Sequence, residues 1–585
     1  MKKKKEIQLI ATDYSPKITK NNNLFYLGSW CSSKKNEENK FQEFVWLKKK
    51  NLEKDYLYLE KLIKRLANSI SCYLNEYHKT NYPGNFWKSL IWIWLCFYLS
   101  SNFLRWKTFE SAIKKNKFKK IKFAQVELGL VICAKDTHSY KNFVQESDIF
   151  NEYIFSKISK YFSNKIKIIK IKKKLDKQLY QKFDHSLKEK IYRFIKKIIN
   201  FIKVKILRSP AIVFQGINIK NLLYLNFTRF TIPIFINEFF PVKDIELKKL
   251  SDVQITKRKE IKINFEVKND FEKYLLESLS YDIPISFLEN FKKFMNYAKN
   301  LNIKNKLIIS SIGHYFNDKY KIWVFFKKIF KKNKFIVIEH GGNHSKSRHS
   351  TFFNYDNIIS DEFIPWSYST NLPAEKFIGF NLGNQESENL LYIGFETDKF
   401  PSKTINEITT LEDLENIPNL KYLNKKLNKK IIKKLVYVQK KNREKRIMFT
   451  INKLIGGNKT RKKGTFLREL KKTNLAICDY PQTTYFESLL SCPTILVINY
   501  KENWTPLRKY FKIYQALEKN NMLFKDIKKA TKFINNNWDN INDWWDSKKI
   551  KNLRERLLNE FSIDTDKDGI KKWSRFIKEK YKEYY

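Results

Sequence analysis

A histidine followed by two glycines, at the end of an apolar run, is the segment of this sequence best suited to chemistry. Residues 335–342 read FIVIEHGG, in which the apolar residues predict a buried strand and His340, Gly341 and Gly342 follow it. An imidazole titrates near neutral pH and can take a proton from a hydroxyl group. Glycine lets a ligand approach the backbone, and its N–H group can hold a phosphate or a developing anion. The alternative is a turn whose histidine binds a core carbonyl.

A second candidate is an acidic strand end that runs into a helix start, at residues 475–487. Thr483 or Thr484 is expected to cap this helix, and Glu487 lies three residues after Thr484, the spacing of a capping box. The functional interpretation uses the same helix start as a diphosphate site, with Glu487 reaching a ribose hydroxyl. Both interpretations can hold together. Asp479 ends the strand, and ligands of parallel sheets bind beyond such strand ends.

Other candidates carry weaker signals. Gly28 and Trp30 follow a short predicted strand near the N-terminus, where a glycine permits close approach of a ligand. His78 ends a long helical tract, and such a histidine is more often a satisfied helix-end residue. Asp318 begins a helix in the middle of the chain. The basic cluster at Arg461, beside two glycines, could contact phosphates.

The elements that position these residues alternate between strands and helices. Residues 307–311, 318–332 and 335–338 predict a strand, a helix and a strand, which is a βαβ unit with a parallel sheet. A second α/β unit is predicted over residues 435–498. Residues 357–359 and 390–393 are further strand candidates. The sequence thus predicts an α/β fold of more than one domain.

Composition limits the classes of function. The 585 residues carry 115 Lys and Arg against 60 Asp and Glu, a net charge of +55. Lysine dominates and no nucleic-acid module accompanies the charge, so we expect no nucleic-acid partner and favour contact with an anionic membrane. Six scattered cysteines form no zinc pattern and fit reduced thiols in the cytoplasm. Within residues 86–104, the uncharged run between Lys88 and Arg105 has only 16 residues, which is too short to favour a spanning helix, so a buried or interfacial helix is expected.

Several short motifs, in order, resemble a family of transferases linked to O-antigen and other surface-carbohydrate biosynthesis. They are LFYLGSWC, YLNEYH with FWKSLIWIWL, PISFLENF, the run from 310 to 342, SDEFIPW, CDYPQTTYFESLLSCPTI, and WW before a helical tail. The later half is also similar in layout to enzymes that polymerise polyol phosphates, of the CDP-glycerol glycerophosphotransferase type.

The resemblance implies an α/β fold of two Rossmann-like (GT-B-like) domains facing a cleft, with extra N-terminal helices and a helical C-terminal tail. It implies an acceptor-side domain over 1–400 with helical insertions at about 45–120 and 150–210. A linker is expected over 401–430, because this stretch has few apolar residues in any period and the charged run NKKLNKK. A nucleotide-donor domain over 431–505 and helices over 506–585 that pack back on the cleft complete the expected order.

By the same resemblance, His340 is the catalytic base, and Asp479, Thr483, Thr484 and Glu487 are donor contacts. Gly341, Gly342 and Arg461 join the expected donor contacts because backbone N–H groups and a guanidinium can hold phosphates. The acceptor-side candidates are Gly28, Trp30, His78 and Asp318. Glu339 stands where the family usually has Gln, and a carboxylate there is expected to raise the His340 pKa or repel a donor phosphate.

The resulting hypothesis is a cytoplasmic transferase, in part peripheral on the inner face of the membrane. It moves a glycosyl group from a nucleotide-activated sugar donor to a hydroxyl of a lipid-linked saccharide, with no metal or other cofactor required. Transfer of a polyol phosphate is the first alternative. A non-catalytic basic protein that binds membranes or other polyanions is the alternative of another class.

Overall fold

The fold is taken from a computed structural model of the chain. The residues that the structure describes are 6–19, 23–31, 41–46, 49–115, 120–173, 191, 194–195, 198, 213–216, 234–235, 247–301, 303, 306–341, 344–348, 350–383, 386–394, 398–402, 417–438, 460–461, 466–501 and 505–584.

The strands fall into three parallel sheets and one short antiparallel pair. In chain order they are β1 (Glu6–Ile10), β2 (Leu24–Tyr26), β3 (Lys120–Glu127), β4 (Ile132–Ala134), β5 (Lys167–Lys172), β6 (Val213–Gln215), β7 (Ile234–Phe235), β8 (Leu247–Lys249), β9 (Leu307–Ser310), β10 (Lys334–Ile338), β11 (Glu362–Ile364), β12 (Asn389–Ile393), β13 (Leu435–Val438), β14 (Thr460–Arg461), β15 (Thr473–Cys478), β16 (Thr494–Val497) and β17 (Leu523–Phe524).

Helices connect and cover these sheets. They are α1 (Lys49–His78), α2 (Gly84–Lys115), α3 (Thr137–Glu146), α4 (Asp148–Ser159), α5 (Asp252–Glu260), α6 (Asp270–Asp282), α7 (Phe291–Asn300), α8 (Gly313–Phe316), α9 (Asp318–Phe330), α10 (Thr351–Ile359), α11 (Ile417–Lys426), α12 (Lys429–Ile432), α13 (Phe466–Lys471), α14 (Thr483–Leu489), α15 (Phe511–Lys519), α16 (Ile527–Asn537), α17 (Ile541–Asp546), α18 (Lys548–Glu560) and α19 (Gly569–Tyr584).

The second sheet has the strand order β11-β10-β9-β6-β7, which is the flavodoxin-like order of a doubly wound sheet. β9, α9 and β10 form the predicted βαβ unit, and β9 pairs with β10 in parallel. The predicted strand at 357–359 is wrong, since these residues end helix α10 and the strand β11 follows it. An apolar tripeptide fits the end of an amphipathic helix as well as a buried strand.

The third sheet has the order β14-β13-β12-β15-β16-β17, the order of a dinucleotide-binding Rossmann sheet. The predicted α/β class is confirmed, and the second and third sheets are the two Rossmann-like halves. The first sheet, in the order β2-β1-β3-β5, is an additional layer of parallel strands. Residues 1–400 therefore contain the first two parallel sheets and β12 of the third, together with long helices.

The predicted linker at 401–430 falls inside the unit that carries the third sheet. β12 precedes that segment, yet it pairs with both β13 and β15. Leu420, Leu423 and Leu427, from α11 and the turn after it, pack into the core of the same sheet. The lysine-rich appearance of this stretch reflects the solvated face of α11, whose leucines recur at helical spacing and cover apolar strands.

The aromatic segment of α2 is buried, as the sequence predicts. Trp87, Trp94 and Tyr98 are fully enclosed in the largest apolar core, against α1, α9 and α10. Within the described residues, no helix combines the length and the apolar character that crossing a bilayer demands. Burial against other helices explains a segment that is apolar all round.

The last helix returns to the second sheet. Trp573 and Ile577 of α19 pack on Ile336 and Ile338 of β10, and the Trp573 indole donates to the Pro373 carbonyl at 2.8 Å. The chain thus passes from the second sheet to the third and then returns to the second. This return links the two Rossmann-like halves.

Candidate active site

The carboxyl end of β10 carries the histidine predicted to be a base. Glu339, His340 and Gly341 leave the strand directly, and the strand itself is buried, which fixes where these residues emerge. In a doubly wound sheet the carboxyl ends of the strands form the ligand-binding edge. His340 is therefore at the edge of the second sheet where a substrate would bind.

The third sheet presents its own ligand-binding edge. Its strand order reverses between β12 and β15, and such a reversal opens a crevice beyond the strand ends. Asp479 follows β15 at this point, and its N–H donates to the Ile393 carbonyl of β12 at 3.4 Å. The predicted donor residue Asp479 is thus at the switch point, with α14 starting four residues later.

The two edges face each other. A Cβ placed on Gly341 would lie 3.7 Å from the Thr483 hydroxyl oxygen, so the end of β10 nearly touches the start of α14. Beside this contact, the Leu507 N–H donates to the Lys346 carbonyl at 2.7 Å and the Arg348 N–H to the Thr505 carbonyl at 2.9 Å. Gly341 and Thr483 are 142 residues apart in the sequence. The structure brings them together at the floor of a cleft between the halves.

The His340 side chain is exposed, yet neighbouring atoms displace part of the water around its ring. Its pKa is lowered to about 4, chiefly by loss of water around the ring and in smaller part by Lys376 and His314. At neutral pH the imidazole is consequently uncharged and able to accept a proton. The expectation that Glu339 raises this pKa is wrong.

Glu339 instead holds the loop that follows the site. Its buried carboxylate accepts hydrogen bonds from the Ser345 N–H at 2.8 Å, the Ser345 hydroxyl at 2.7 Å and the Trp366 N–H at 2.7 Å. Burial raises the Glu339 pKa, and the nearby Lys346 ammonium opposes that shift. Because the carboxylate points into the protein and is occupied there, it does not face a donor phosphate.

A lysine that no motif indicated completes the cleft. Lys376 lies between β11 and β12, and its ammonium is 3.7 Å from a carboxylate oxygen of Glu487 on α14. Its side chain is 46% exposed, whereas Glu487 is 13% exposed. Burial raises the Glu487 pKa and Lys376 lowers it. The sequence alone could not single out Lys376, because the chain contains many lysines and only the fold places this one near His340.

The helix start of α14 differs from the predicted capping box. Gln482 is the N-cap and makes no side-chain cap hydrogen bond, while Thr483 and Thr484 are the first helical residues. Thr483, Thr484 and Glu487 are half-buried on the cleft side of α14. Because Glu487 turns toward Lys376, it cannot also reach back to the cap.

Two donor candidates fall at the limits of the described chain. Gly342 lies outside the described residues. The backbone of Arg461 forms β14 beside Val438, at the far side of the third sheet from β15, and its side chain lies outside the described part.

The acceptor-side candidates lie away from the cleft floor. Trp30 is buried at the end of the first sheet, where its indole donates to the Ala11 carbonyl at 3.0 Å. A Cβ on Gly28 would come within 2.4 Å of that indole, so the glycine is needed for Trp30 packing, whatever else binds there. The close approach predicted for Gly28 is thus made by a side chain of the protein.

His78 and Asp318 are core residues. The His78 ring nitrogen Nε2 lies 2.9 Å from the Phe287 carbonyl, and the ring stacks on Trp87. The Asp318 carboxylate accepts from the Thr137 N–H at 2.8 Å and the Ser286 hydroxyl at 2.6 Å, and Lys321 lies 2.7 Å away. The polar atoms of both side chains have partners inside the core, which is the ordinary role of such residues. Neither residue is therefore part of the site that we propose below.

His78 should make the fold sensitive to acid. Burial lowers its pKa to about 4 from an unfolded value near 6.5, so the folded state binds fewer protons between these values. The contribution of His78 to the free energy of unfolding is complete above pH 6.5. It decreases as the pH drops toward 4, by about 3 kcal/mol at most. Urea titrations at pH 7 and pH 4.5 should show a smaller pH-dependent loss for His78→Gln than for the wild type. An equal loss in both would contradict this assignment.

Two facing Rossmann-like halves with a neutral histidine, a lysine and a helix start in the cleft define an α/β protein with an enzyme-like site. The sequence profile of the LIC12162 family transferases matches residues 7–577, and the chain belongs to this transferase family. No curated protein matches the chain. One similar solved structure, assigned as a UDP-N-acetylglucosamine 2-epimerase from Listeria monocytogenes, is 9% identical over 64% of this chain and 98% of its own, with a TM-score of 0.36. A TM-score of that size is too low to carry a fold or an activity across to this chain.

Proposed function

We propose that this transferase moves a glycosyl group from a nucleotide-activated donor to a saccharide hydroxyl in the assembly of a surface polysaccharide. The observation that carries the proposal is the meeting of His340–Gly341 with Thr483 at the switch point of a Rossmann-ordered sheet. A nucleotide fits such a switch point, and a neutral histidine on the facing wall fits a base for the acceptor.

The transfer step uses three features of the cleft. The acceptor hydroxyl oxygen forms a bond to the sugar carbon while the bond from that carbon to the donor phosphate oxygen breaks. The hydroxyl proton passes to His340, which is neutral before the reaction. The negative charge that develops on the leaving phosphate is stabilised by Lys376 and by backbone N–H groups at Gly341 and the start of α14.

Lys376 is proposed to change partners when the donor binds. In the structure its ammonium lies 3.7 Å from a carboxylate oxygen of Glu487. A diphosphate carries more charge than one carboxylate and offers charge-assisted hydrogen bonds, so it would compete for the ammonium. The same anion near His340 would raise the low pKa of the imidazole and strengthen it as a base.

The first test is nucleotide binding. CMP, UDP and GDP derivatives are titrated while the melting temperature is followed, and at least one is expected to raise it, because a ligand that binds the folded state stabilises it. A shift by cytidine nucleotides alone would favour the polyol-phosphate alternative. If no nucleotide shifts the melting temperature, the proposal that the donor is nucleotide-activated is wrong.

Lys376→Ala is expected to weaken binding of the responding nucleotide by about 10- to 100-fold, the range for loss of a hydrogen bond to a charged group. Calorimetric titration measures the affinity. Lys433→Ala is the matched control, since Lys433 is exposed at the amino end of β13, opposite the ligand-binding edge. Equal affinity in both variants would remove Lys376 from the site.

We place the reaction at the cytoplasmic side of the membrane, where a lipid-linked acceptor would be presented. The free thiols of the chain, including the buried pair Cys478 and Cys492, support a reducing compartment.

A further inference from the structure

A groove between α1, α2 and α10 is a distinct feature of this protein, away from the floor of the active-site cleft. Its volume is about 270 Å³. Its floor is apolar and comes from Leu59, Ile63, Trp92 and Cys96, all buried side chains. Ile358 of α10 lies at the lip and is 53% exposed. Exposed aliphatic side chains beside an open apolar groove indicate a binding surface.

The outer face of α1, next to the groove, carries a row of lysines, of which Lys64 also lines the groove. Lys50, Lys54, Lys61 and Lys64 are exposed, and Leu57, 53% exposed, stands within the row. Their separations of four, three, four and three residues place them on one side of the helix. The opposite side of α1 is packed in the core, so this row faces outward.

The three acidic residues in this part of α1 each have a partner. Glu60 lies 3.6 Å from Lys64, Glu53 lies 3.3 Å from Arg348, and Asp55 accepts from the Trp46 indole at 2.9 Å. Glu60 thus balances Lys64 at the groove itself, while Lys50, Lys54 and Lys61 make the outer face of α1 beside the groove positive. A partner that fits it must offer negative charge and apolar chains side by side.

We infer that the α1–α10 groove is the membrane-docking site of this protein and takes the hydrocarbon chain of an anionic lipid bilayer. The lysines contact lipid phosphates, Leu57 and Ile358 enter the interface, and one chain fills the groove. A free phosphate ion or a nucleic acid would satisfy the lysines and leave the aliphatic residues and the groove unused.

The groove is also connected to the site. Thr351 lines it at the start of α10, and Arg348, three residues earlier, joins Glu53 of α1 to the loop that follows His340. A membrane held at the groove would therefore bring a lipid-linked acceptor near the cleft. Docking itself does not depend on transfer, so either can fail alone.

The test is co-sedimentation of the full chain with vesicles of phosphatidylcholine, with and without phosphatidylglycerol. Binding is expected only with the anionic lipid, and Lys54→Gln with Lys61→Gln should lower the affinity by about 30-fold, as two membrane-surface lysines would. Leu57→Gln with Ile358→Gln should lower it as well. The matched controls are Lys548→Gln with Lys549→Gln on α18, and Val253→Gln, which is 78% exposed on α5.

A second measurement tests the groove. Bromine-labelled acyl chains quench an indole that they contact, and Trp92 lines the floor. Quenching by anionic vesicles is expected to fall in Trp92→Phe and to stay at the wild-type level in Trp573→Phe. Equal quenching in the two variants, or controls that lose vesicle binding as much as the groove variants, would overturn the inference. So would lysine variants that lose affinity for duplex DNA while vesicle binding is unchanged.

Discussion

Replacing His340 by alanine is expected to lower the rate of transfer by about 10²- to 10⁴-fold, the range for loss of a general base. The imidazole stands at the ligand-binding edge beside Gly341 and Thr483, and its low pKa keeps it uncharged at neutral pH. Because the ring is exposed, the melting temperature should remain close to that of the wild type. Donor consumption with an acceptor saccharide is the measurement.

The pH dependence separates a base from a positioning residue. For the free enzyme, kcat/KM should be constant above about pH 5 and fall in acid as His340 takes a proton near pH 4. His340→Gln keeps the size and polarity of the side chain and should lose both the rate and this acid limb. A glutamine variant with the wild-type rate would show that His340 acts only through its size and polarity and not as a base.

The second large effect concerns Glu339. Glu339→Ala would leave the Ser345 and Trp366 N–H groups without their carboxylate, and it would remove the larger of the two negative charges that act on the buried Lys346 ammonium. Removing one member of such a buried group costs about 3–5 kcal/mol. The midpoint of urea unfolding should therefore fall markedly.

Glu339→Gln is the matched variant, because the amide oxygen can still accept one of these hydrogen bonds. It should lose less stability than Glu339→Ala. Burial lowers the Lys346 pKa to about 8 and Glu339 opposes this, so the ammonium in the glutamine variant should lose its proton at a lower pH. If Glu339→Ala unfolds at the wild-type urea midpoint, the proposed anchoring of the loop is wrong.

The parts of the fold that could be predicted are those with local signals. The βαβ unit around β10 was predictable because continuous apolar strands flank an amphipathic helix of the right length. Asp479 was predictable as a strand end, and the structure places it at the switch point of the third sheet.

Other features depend on contacts between distant residues and gave no local signal. Lys376 meets Glu487 only because the two halves face each other. His78 and Asp318 look like functional residues in sequence, yet their partners, the Phe287 carbonyl and the Thr137 N–H, come from other elements. The sequence analysis missed the additional first sheet, and it missed that the third sheet begins at β12. Strand pairing sets domain boundaries, and it depends on contacts between residues far apart in sequence.

Hydrogen–deuterium exchange with the responding nucleotide tests the central claim most directly, that the donor binds between the second and third sheets. Bound nucleotide is expected to slow exchange in the backbone amides of Asp479–Glu487 and of Glu339–Gly341, and this protection should weaken in Lys376→Ala. Protection confined to the first sheet, around Gly28 and Trp30, with none at either wall of the cleft, would contradict it.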